Sequence, residues 1–468
     1  IYYYYYYYLF ELTFLMGGKM ITIKDINKKL INTHYAVRGP IVQKAVELEA
    51  NGKEIIYCNN GNPQSLGQKP LTFVRQVLSL LENPDLISKD IGYPQDIINT
   101  AKKIIDEDPN GLGTYTQSAG LLFVRKAIAK FIEKRDGIKS DPNMIHLTDG
   151  ASKGIQNVLT ALISKETDGI MLPLPQYPLY SATIELLGGS KIFYELDEGN
   201  NWGLSHEYME KSYKKAVADG IDIKAIVVIN PSNPTGGVLD YDNIKMIIEF
   251  AKEKNIAIMA DEVYQDNIYI KQDFVSFAKV LNNLEINDVT LFSYHSVSKG
   301  YLGECGHRSG YVEYRNIPDD VINQLLKMQA VGLCSNHPGQ IVIYLLVNPP
   351  KEGDESFPLF IEERDGILSS LKKKAKILSN GLNSIEGITC NPIIGAMYAF
   401  PNITIPQGKN DFDYCMKLLV ETGICIVPGS GFGQKEGTHH FRTTILPPEE
   451  KLREVVEKIK VFHGNYGN

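Results

Sequence analysis

The sequence predicts an α/β fold: a large domain with a mostly parallel central sheet flanked by helices, and a smaller α+β domain beside it. From about residue 140 onward, short apolar or β-branched runs alternate with stretches of helical patterning. This alternation is typical of consecutive βαβ units. The chain has 468 residues, of which 43% are apolar and 22% charged. These are ordinary globular values, and the length suits about two to three domains.

Five apolar runs are the candidate strands of this sheet. The first, MIHLT at 144–148, precedes a stretch whose apolar residues recur at helical spacing. NIKMIIEFAKEKN at 243–255 is amphipathic and has the length of a crossover helix. Helical patterning also covers 319–331. The other four candidate strands are GIMLPL (169–174), KAIVVIN (224–230), NIAIMADE (255–262) and VTLFSYHS (289–296).

Composition divides the chain into four segments. Residues 1–19 lack a basic start, are interrupted by Glu11 and are too short to span a bilayer, so we predict a non-native or disordered extension. NPPKEGDESFP at 348–358 is rich in proline and charge, as linkers are. The predicted division is 1–19 (extension), 20–90 (N-terminal arm and small-domain segment), 91–347 (large domain with the ligand site) and 348–468 (C-terminal small domain).

Charge and cysteine content limit the kinds of ligand. The 48 Lys and Arg residues against 55 Asp and Glu residues give a net charge of −7. The chain therefore lacks the basic excess that would favour binding to nucleic acid or to an anionic membrane. A small-molecule ligand is expected instead. The six cysteines form no C-x-x-C pair and no H-E-x-x-H motif occurs, so we expect no metal and a reduced compartment. The absence of a targeting signal leads us to expect a cytoplasmic protein.

The segment SVSKGYLGECGHR at 296–308 follows the last candidate strand and is rich in donors. Ser296, Ser298 and Arg308 are residue types that bind phosphate. Lys299 is either a fourth phosphate contact or a nucleophilic amine that forms a Schiff base with a phosphorylated aldehyde. Ser296 and Lys299 also match the S-x-x-K of serine β-lactamases. The S-D-N and K-T-G motifs of those enzymes are absent, however, so we set that interpretation aside.

Further polar residues follow the other candidate strands. In open α/β sheets, ligands bind beyond the carboxyl ends of the strands. DGASKG at 149–154 opens a helix, whose free N–H groups favour a phosphate. PQYPLY at 175–180 presents Tyr177, whose ring could lie on a planar ligand, and PSNPTGG at 231–237 presents Asn233 in a turn. Each also has a purely structural interpretation: a helix start, a core aromatic residue and a turn.

The strand that ends in Asp261 and Glu262 carries a carboxylate to the edge of the core. A carboxylate is costly there unless a cation pairs with it. A protonated pyridine nitrogen, a metal or a structural arginine would each serve. Together with Lys299, the phosphate donors and the aromatic ring, this inventory matches pyridoxal phosphate. The G-x-G-x-x-G of nicotinamide cofactors and the G-x-x-x-x-G-K-[ST] of nucleoside triphosphates are absent.

With these motifs in place, the chain from about 24 to 460 resembles the class I/II aminotransferases of fold type I. The S-x-S-K motif with an arginine nine positions on is general to that class. The motifs that resemble the alanine branch in particular are PLPQYPLYSATI, FSYHSVSKGYLGECGHRSGYVE, NPPKEGDESFPLF, CNPIIGAMYAFP and VPGSGFGQKEGTHHFRTTILP. One departure is Ser309, which stands where the family usually has glycine, next to the predicted phosphate site.

The resemblance implies three catalytic residues. Lys299 would be the Schiff-base lysine and the proton shuttle. Asp261 would pair with the pyridine nitrogen, and Tyr264, with Asn233, would hydrogen-bond the ring's phenolic oxygen. Tyr177 would stack on the ring face.

The resemblance also implies the binding residues for phosphate and substrate. Arg442, in HFRTT, would hold the substrate α-carboxylate, and Gly61, in NNGNP, would belong to a loop that closes over the substrate. Tyr115, in GTYTQSAG, would reach the phosphate from the neighbouring subunit of a homodimer. The remaining phosphate contacts would come from backbone groups of Ala151, Ser152 and Lys153 and from Ser296, Ser298 and Arg308.

The function that the resemblance implies is a ping-pong transamination between L-alanine and 2-oxoglutarate, giving pyruvate and L-glutamate. The alternative is the same chemistry on glutamate and glyoxylate or on other substrates of this branch. A non-catalytic pyridoxal-binding regulator is disfavoured, because the chain has no helix-turn-helix extension and keeps every catalytic residue type.

Overall fold

The structure is a computed structural model that describes residues 20–33 and 35–466. The predicted extension at 1–19 lies outside these residues. In chain order the strands are β1 (Ile56–Tyr57), β2 (Ile145–Thr148), β3 (Asp168–Leu174), β4 (Ser190–Glu195), β5 (Asp222–Ile229), β6 (Ala257–Asp261), β7 (Leu291–Ser296), β8 (Gly310–Arg315), β9 (Ile388–Thr389), β10 (Tyr398–Ala399), β11 (Asn402–Ile403), β12 (Ile424–Cys425), β13 (Val427–Pro428) and β14 (Phe441–Thr444).

The α-helices follow in the same order. They are α1 (Lys28–Asn32), α2 (Pro40–Ala50), α3 (Thr72–Glu82), α4 (Gln95–Glu107), α5 (Leu122–Asp136), α6 (Ala151–Leu162), α7 (Leu179–Leu187), α8 (His206–Ala218), α9 (Tyr241–Lys254), α10 (Phe277–Asn283), α11 (Asp319–Val331), α12 (His337–Val347), α13 (Phe357–Asn383), α14 (Asp411–Thr422) and α15 (Glu449–Asn465).

The central sheet has seven strands in the order β2-β8-β7-β6-β5-β3-β4. Five neighbouring strands, β7, β6, β5, β3 and β4, pair in parallel. Strand β8 pairs antiparallel with both β7 and β2. The predicted α/β class with a mostly parallel sheet is confirmed. The five runs proposed from the sequence are β2, β3, β5, β6 and β7, while β4 and β8 were not predicted.

Local signals explain the helices that connect the strands. The side chain of Asp240 caps α9 by accepting a hydrogen bond from the Asn243 amide, and Asn255 ends the helix with a left-handed backbone, at φ +52°. Between these ends, the buried residues of α9 are Ile244, Ile247, Ile248, Phe250 and Ala251. A crossover helix needs such a one-sided pattern to pack on a sheet. The helices predicted from 243–255 and 319–331 are thus present as α9 and α11.

The N-terminal segment is hydrogen-bonded to the C-terminal part of the chain. Strand β1 pairs in parallel with β12, with Ile56 opposite Ile424. Strands β10, β14 and β13 form a separate antiparallel sheet next to this pair. The four-segment division itself stays a prediction. Within the part of the chain that the structure describes, no helix combines the length and the apolar character needed to cross a membrane.

Candidate active site

The predicted site residues gather at the carboxyl ends of the sheet strands. Asp261 ends β6, Ser296 ends β7, and Lys299 lies three residues beyond β7. Helix α6 begins three residues after the end of β2. Because β5, β6 and β7 run in parallel, their carboxyl ends share one edge of the sheet, and the side chains that follow them meet there.

Lys299 reaches across to the loop that follows β1. Its Nζ donates a hydrogen bond of 2.7 Å to the carbonyl of Gly61 and lies 5.9 Å from the centre of the Tyr264 ring. A Cβ atom at Gly61 would overlap the Tyr398 hydroxyl and would lie 3.2 Å from the Lys299 Nζ. Because the Tyr398 hydroxyl fills this space, position 61 has no room for a side chain, and the loop glycine and the lysine predicted from the sequence do meet.

Asp261 is buried and has a tyrosine as its main partner. The Tyr180 hydroxyl donates to its Oδ2 at 2.9 Å. Burial raises the pKa of Asp261 to about 6, although the hydrogen bond from Tyr180 and the charge of Lys299 act in the opposite direction. A carboxyl group in this state ionises readily once a cation comes to lie beside it.

The start of α6 forms a cradle with Arg308. The Arg308 Nη2 donates to the Ser152 hydroxyl at 3.1 Å and to the Asp149 carbonyl at 3.2 Å. Gly150, with φ +75°, precedes the helix, and a Cβ atom there would lie 2.6 Å from the Arg308 Nη2. The guanidinium group therefore packs over a helix N-terminus that a side chain at position 150 would block, and this arrangement suits an anion.

The two serines after β7 lie beside the same edge. Ser296 and Ser298 are both buried, and the Ser298 amide donates to the Ser296 Oγ at 3.3 Å. The Lys153 amide, which the resemblance assigns to the phosphate, donates to the Gly150 carbonyl at 3.2 Å. The side chain of Lys153 is exposed.

Arg442 is buried without a carboxylate partner among the described residues. It is 1% exposed, and its Nη1 donates to the Asn233 Oδ1 at 3.2 Å, while its Nη2 donates to the Asn59 carbonyl. Its guanidinium carbon lies 4.2 Å from the centre of the Tyr398 ring and 4.5 Å from that of Phe432. Its Nε has no hydrogen-bond partner within residues 20–33 and 35–466. A buried cation of this kind favours binding of an anion.

Two further tyrosines complete the predicted set. The Tyr177 hydroxyl is 2.8 Å from the Tyr35 hydroxyl, which belongs to the N-terminal segment. The side chain of Tyr115 is 79% exposed in this single chain. The structure therefore brings the other predicted residues to one region and leaves Tyr115 at the surface.

Sequence reasoning missed several residues of this region. Tyr180 carried a weak signal, because it lies three residues after Tyr177 in the same motif and both can face the sheet from the start of α7. Tyr398, Asn59 and Tyr35 gave no signal that spacing could reveal, since their partners lie far away in the sequence.

Comparisons with known proteins agree on one family. A family model described as aminotransferase class I and II matches residues 86–459. A probable mitochondrial alanine aminotransferase of Dictyostelium discoideum is 48% identical, and the alignment covers 96% of this chain and 90% of that protein. Glutamate–glyoxylate aminotransferase 2 of Arabidopsis thaliana is 46% identical, with 96% and 97% covered. The mitochondrial alanine aminotransferase 2 of Arabidopsis thaliana is 47% identical, with 95% and 87% covered.

Solved structures give the same result for the fold. An alanine aminotransferase from Pyrococcus furiosus superposes with a TM-score of 0.77 at 25% identity, covering 94% of this chain and 99% of that one. An aminotransferase from Escherichia coli superposes with the same TM-score at 23% identity, covering 96% and 100%.

The comparisons contradict the predicted cytoplasmic location. The alanine aminotransferases of Dictyostelium and Arabidopsis named above are mitochondrial proteins, so that prediction is wrong. It rested only on a missing signal, and targeting presequences share little beyond a general amphipathic, arginine-rich character.

Proposed function

The chain belongs to the class I and II aminotransferases and is a transaminase, and from this premise we propose that it exchanges an amino group between L-alanine and 2-oxoglutarate. The products are pyruvate and L-glutamate, formed in a ping-pong sequence with pyridoxal 5'-phosphate as cofactor. The main support for the proposal is that two cationic side chains, Arg442 and Lys299, lie on either side of Tyr398. Arg442 packs on its ring, and the Lys299 amine lies beside its hydroxyl. An amino acid whose carboxylate binds Arg442 would present its Cα to Lys299.

The residues fit this cofactor. The cradle of Gly150, Ser152 and Arg308 suits its phosphate, and a Cβ atom at position 150 would fill it. Asp261 is buried beside Tyr180 with a raised pKa, so a protonated ring nitrogen would compensate the cost of its charge. When bound, the cofactor supplies an electron-accepting ring that stabilises negative charge at the substrate Cα.

The residues of the protein have different roles around the bound cofactor. The Lys299 amine takes the proton from Cα and returns it at the acceptor carbon, as a general base and then a general acid. The Tyr264 hydroxyl and the Asn233 amide would donate to the phenolic oxygen of the bound ring, and Tyr177 would pack on its face. Asp261 would be ionised beside the ring nitrogen and would keep it protonated.

Arg442 orients the substrate. Its guanidinium group can bind a carboxylate through two parallel hydrogen bonds, which lysine cannot do. The stack between the Tyr398 and Phe432 rings holds the guanidinium plane in place. Gly61 leaves room for the Tyr398 hydroxyl, which a Cβ atom at this position would overlap, and a bound substrate would replace the hydrogen bond between the Gly61 carbonyl and Lys299.

A second candidate is exchange between glutamate and glyoxylate. The Arabidopsis glutamate–glyoxylate enzyme is almost as similar as the alanine enzymes, at 46% identity over 96% of this chain. Both reactions need the same lysine, arginine and cofactor site, so the choice between them rests on the substrate side chain.

We also propose a homodimer in which Tyr115 of one subunit contacts the phosphate bound by the other. Tyr115 lies on a loop that is fixed at both sides. The Thr116 amide donates to the Cys334 Sγ at 3.4 Å, and the Thr114 carbonyl is 3.1 Å from the Nδ1 of His337. The anchored loop holds the exposed tyrosine outward, which is the geometry that a contribution to a second subunit requires.

The absorbance spectrum of the purified protein with L-alanine tests the proposal. We expect a band of the lysine-bound cofactor that shifts when L-alanine is added and returns when 2-oxoglutarate follows. A band that ignores alanine but responds to glutamate and glyoxylate would support the second candidate. A protein that shows no such band after reconstitution would overturn both.

Lys299→Ala tests the residue that does the chemistry. We expect turnover to fall by more than about a thousandfold, because a positioned acid–base group is removed, while the cofactor still binds without a covalent bond. Lys271→Ala is the control, since Lys271 is exposed and lies outside the site. Normal turnover in Lys299→Ala would contradict the assignment.

A further inference from the structure

Tyr398 is a buried residue whose ring holds Arg442 but whose hydroxyl has no role in the function proposed above. It lies on β10 and is 3% exposed. Its ring packs against the Arg442 guanidinium at 4.2 Å, and its hydroxyl occupies the space that a side chain at Gly61 would take. A Cβ atom at Gly61 would overlap the Tyr398 hydroxyl oxygen and would lie 3.2 Å from the Lys299 Nζ, so both atoms border the same small space. One side chain thus touches the proposed carboxylate-binding residue and reaches toward the proposed proton-carrying residue.

The surroundings of the Tyr398 hydroxyl make it an acceptor. Burial alone would raise its pKa, but the charges of Lys299 and Arg442 and a hydrogen bond from Tyr264 lower the pKa below its ordinary value. The pKa of Tyr264 lies well above its ordinary value, through burial and through the same hydrogen bond. In the cofactor-free protein Tyr264 therefore donates to Tyr398, and the rings meet edge to face at 6.2 Å; with the cofactor bound, the same hydrogen would turn to the phenolic oxygen of the ring. The oxygen of Tyr398 can accept a second hydrogen bond from a cation.

We propose that Tyr398 is a positioning residue for Lys299, an inference that rests on the function proposed above. In the structure the amine donates to the Gly61 carbonyl; once a bound substrate displaces that contact, the Tyr398 hydroxyl accepts the hydrogen bond and holds the Nζ on the side where the substrate Cα lies. The proton passes from Cα to Nζ and then to the acceptor carbon, and Tyr398 neither gains nor loses a proton. The Tyr398 ring stacks on the Arg442 guanidinium and fixes its orientation. One residue thus aligns the substrate carboxylate, through Arg442, with the Lys299 amine.

Tyr398→Phe separates the hydroxyl from the ring. We expect kcat for L-alanine to fall by about tenfold to a hundredfold, the range for loss of a hydrogen bond to a charged group, while KM changes less than about threefold. The second readout is equilibrium binding of 2-methylalanine, which carries a carboxylate and an amine but no Cα proton, followed through the cofactor absorbance. Its affinity stays at the wild-type value, because Arg442 keeps its ring partner.

Tyr398→Leu removes the ring as well. We expect weaker binding of 2-methylalanine, because the Arg442 guanidinium loses one of its two aromatic neighbours. Tyr194→Phe is the matched control: it removes a buried hydroxyl that donates to the Val227 carbonyl at 2.7 Å on another part of the sheet. That variant keeps kcat and KM, and thermal unfolding of all three variants shows that each is folded.

The outcomes separate this proposal from the one on which it rests. A wild-type protein without transaminase activity would remove the proposed function. An active wild-type protein with undiminished kcat in Tyr398→Phe would remove only the positioning role. A Tyr398→Phe variant that loses 2-methylalanine affinity as strongly as it loses kcat would also overturn the proposal, since the hydroxyl would then act in substrate binding.

Discussion

At the scale of the residue, the end of β6 shows how two adjacent carboxylates serve different purposes. Successive side chains of a strand point to opposite faces. Asp261 faces the site and meets Tyr180. Glu262 faces the other way, where it accepts hydrogen bonds from the Phe277 amide at 2.9 Å and the Ser293 hydroxyl at 2.6 Å. Burial raises the pKa of Glu262 to about 7, and its two partners join β6 to the start of α10 and to β7.

The raised pKa of Asp261 makes stability depend on pH. Its pKa moves from 3.8 to about 6 on folding, so the neutral carboxyl favours the folded state below pH 3.8, and that contribution is lost as the pH rises through 6. We expect Asp261→Asn to stabilise the cofactor-free protein at pH 8 by roughly 1–3 kcal/mol, and hardly at all near pH 4. The measurement is urea unfolding at both pH values.

The same substitution should weaken cofactor binding, because the ring nitrogen loses its anionic partner. Glu262→Gln is the control: it removes a buried carboxyl group with a pKa of about 7 that faces away from the site. It should change the pH dependence of stability and leave cofactor affinity intact. Equal loss of cofactor affinity in the two variants would contradict the role of Asp261.

At the scale of the element, β4 and β8 show why part of the sheet escaped prediction. Strand β4 pairs on one side only, with β3, and along it the buried Ile192 and Tyr194 alternate with exposed positions, so it lacks the continuous apolar run of a central strand. Strand β8 is buried but carries Glu313, whose charge breaks the apolar pattern. Ser140 and Arg315 both donate to its Oε1, at 2.7 and 2.6 Å, and a local pattern cannot show that Ser140, 173 positions away, is one of the two partners.

The N-terminus of α6 gives a prediction for one glycine. Gly150→Ala forces φ +75° and ψ 162° on a residue with a side chain, which costs about 1–3 kcal/mol. The new Cβ atom also displaces Arg308 from the helix start. We expect cofactor affinity to fall by about tenfold or more, since a charged hydrogen-bond partner of the phosphate moves away. Cofactor titration and thermal unfolding measure the two effects separately.

Gly137→Ala is the control for backbone strain. Gly137 ends α5 with φ +74°, and a Cβ atom there would meet nothing within 4 Å. It should lower stability by about 1 kcal/mol and leave cofactor affinity unchanged. An equal loss of affinity at both glycines would show that strain, and not the contact with Arg308, is responsible.

At the scale of the whole molecule, the site joins segments that lie far apart in the chain. Arg442 bonds to Asn59 across 383 positions, and Lys299 bonds to Gly61 across 238. The sequence predicted the strand-end residues because topology alone carries them to one edge. It could not predict Tyr398 or Asn59, because their roles arise only when β1 pairs with β12 and β10 lies beside β14. The first of these pairings supports the proposed packing of residues 20–90 with 348–468.

In the proposed dimer each site contains Lys299 of one chain and Tyr115 of the other. Mixing two variants that each lack one of these residues tests this arrangement. A Lys299→Ala chain keeps Tyr115, and a Tyr115→Ala chain keeps Lys299. In a mixed dimer, one site therefore receives both intact residues, if Tyr115 acts across the interface. After unfolding and refolding together in equal amounts, roughly a quarter of all sites should be complete, because half of the dimers are mixed and each has one such site.

The measurement is alanine turnover of the refolded mixture against each variant refolded alone. We expect activity well above the sum of the two. A mixture of Lys299→Ala with Asp261→Asn is the control: both residues belong to the same chain's site, so every site in the mixed dimer still lacks one of them. No recovery in the first mixture, with gel filtration showing that mixed dimers did form, would mean that Tyr115 serves its own chain.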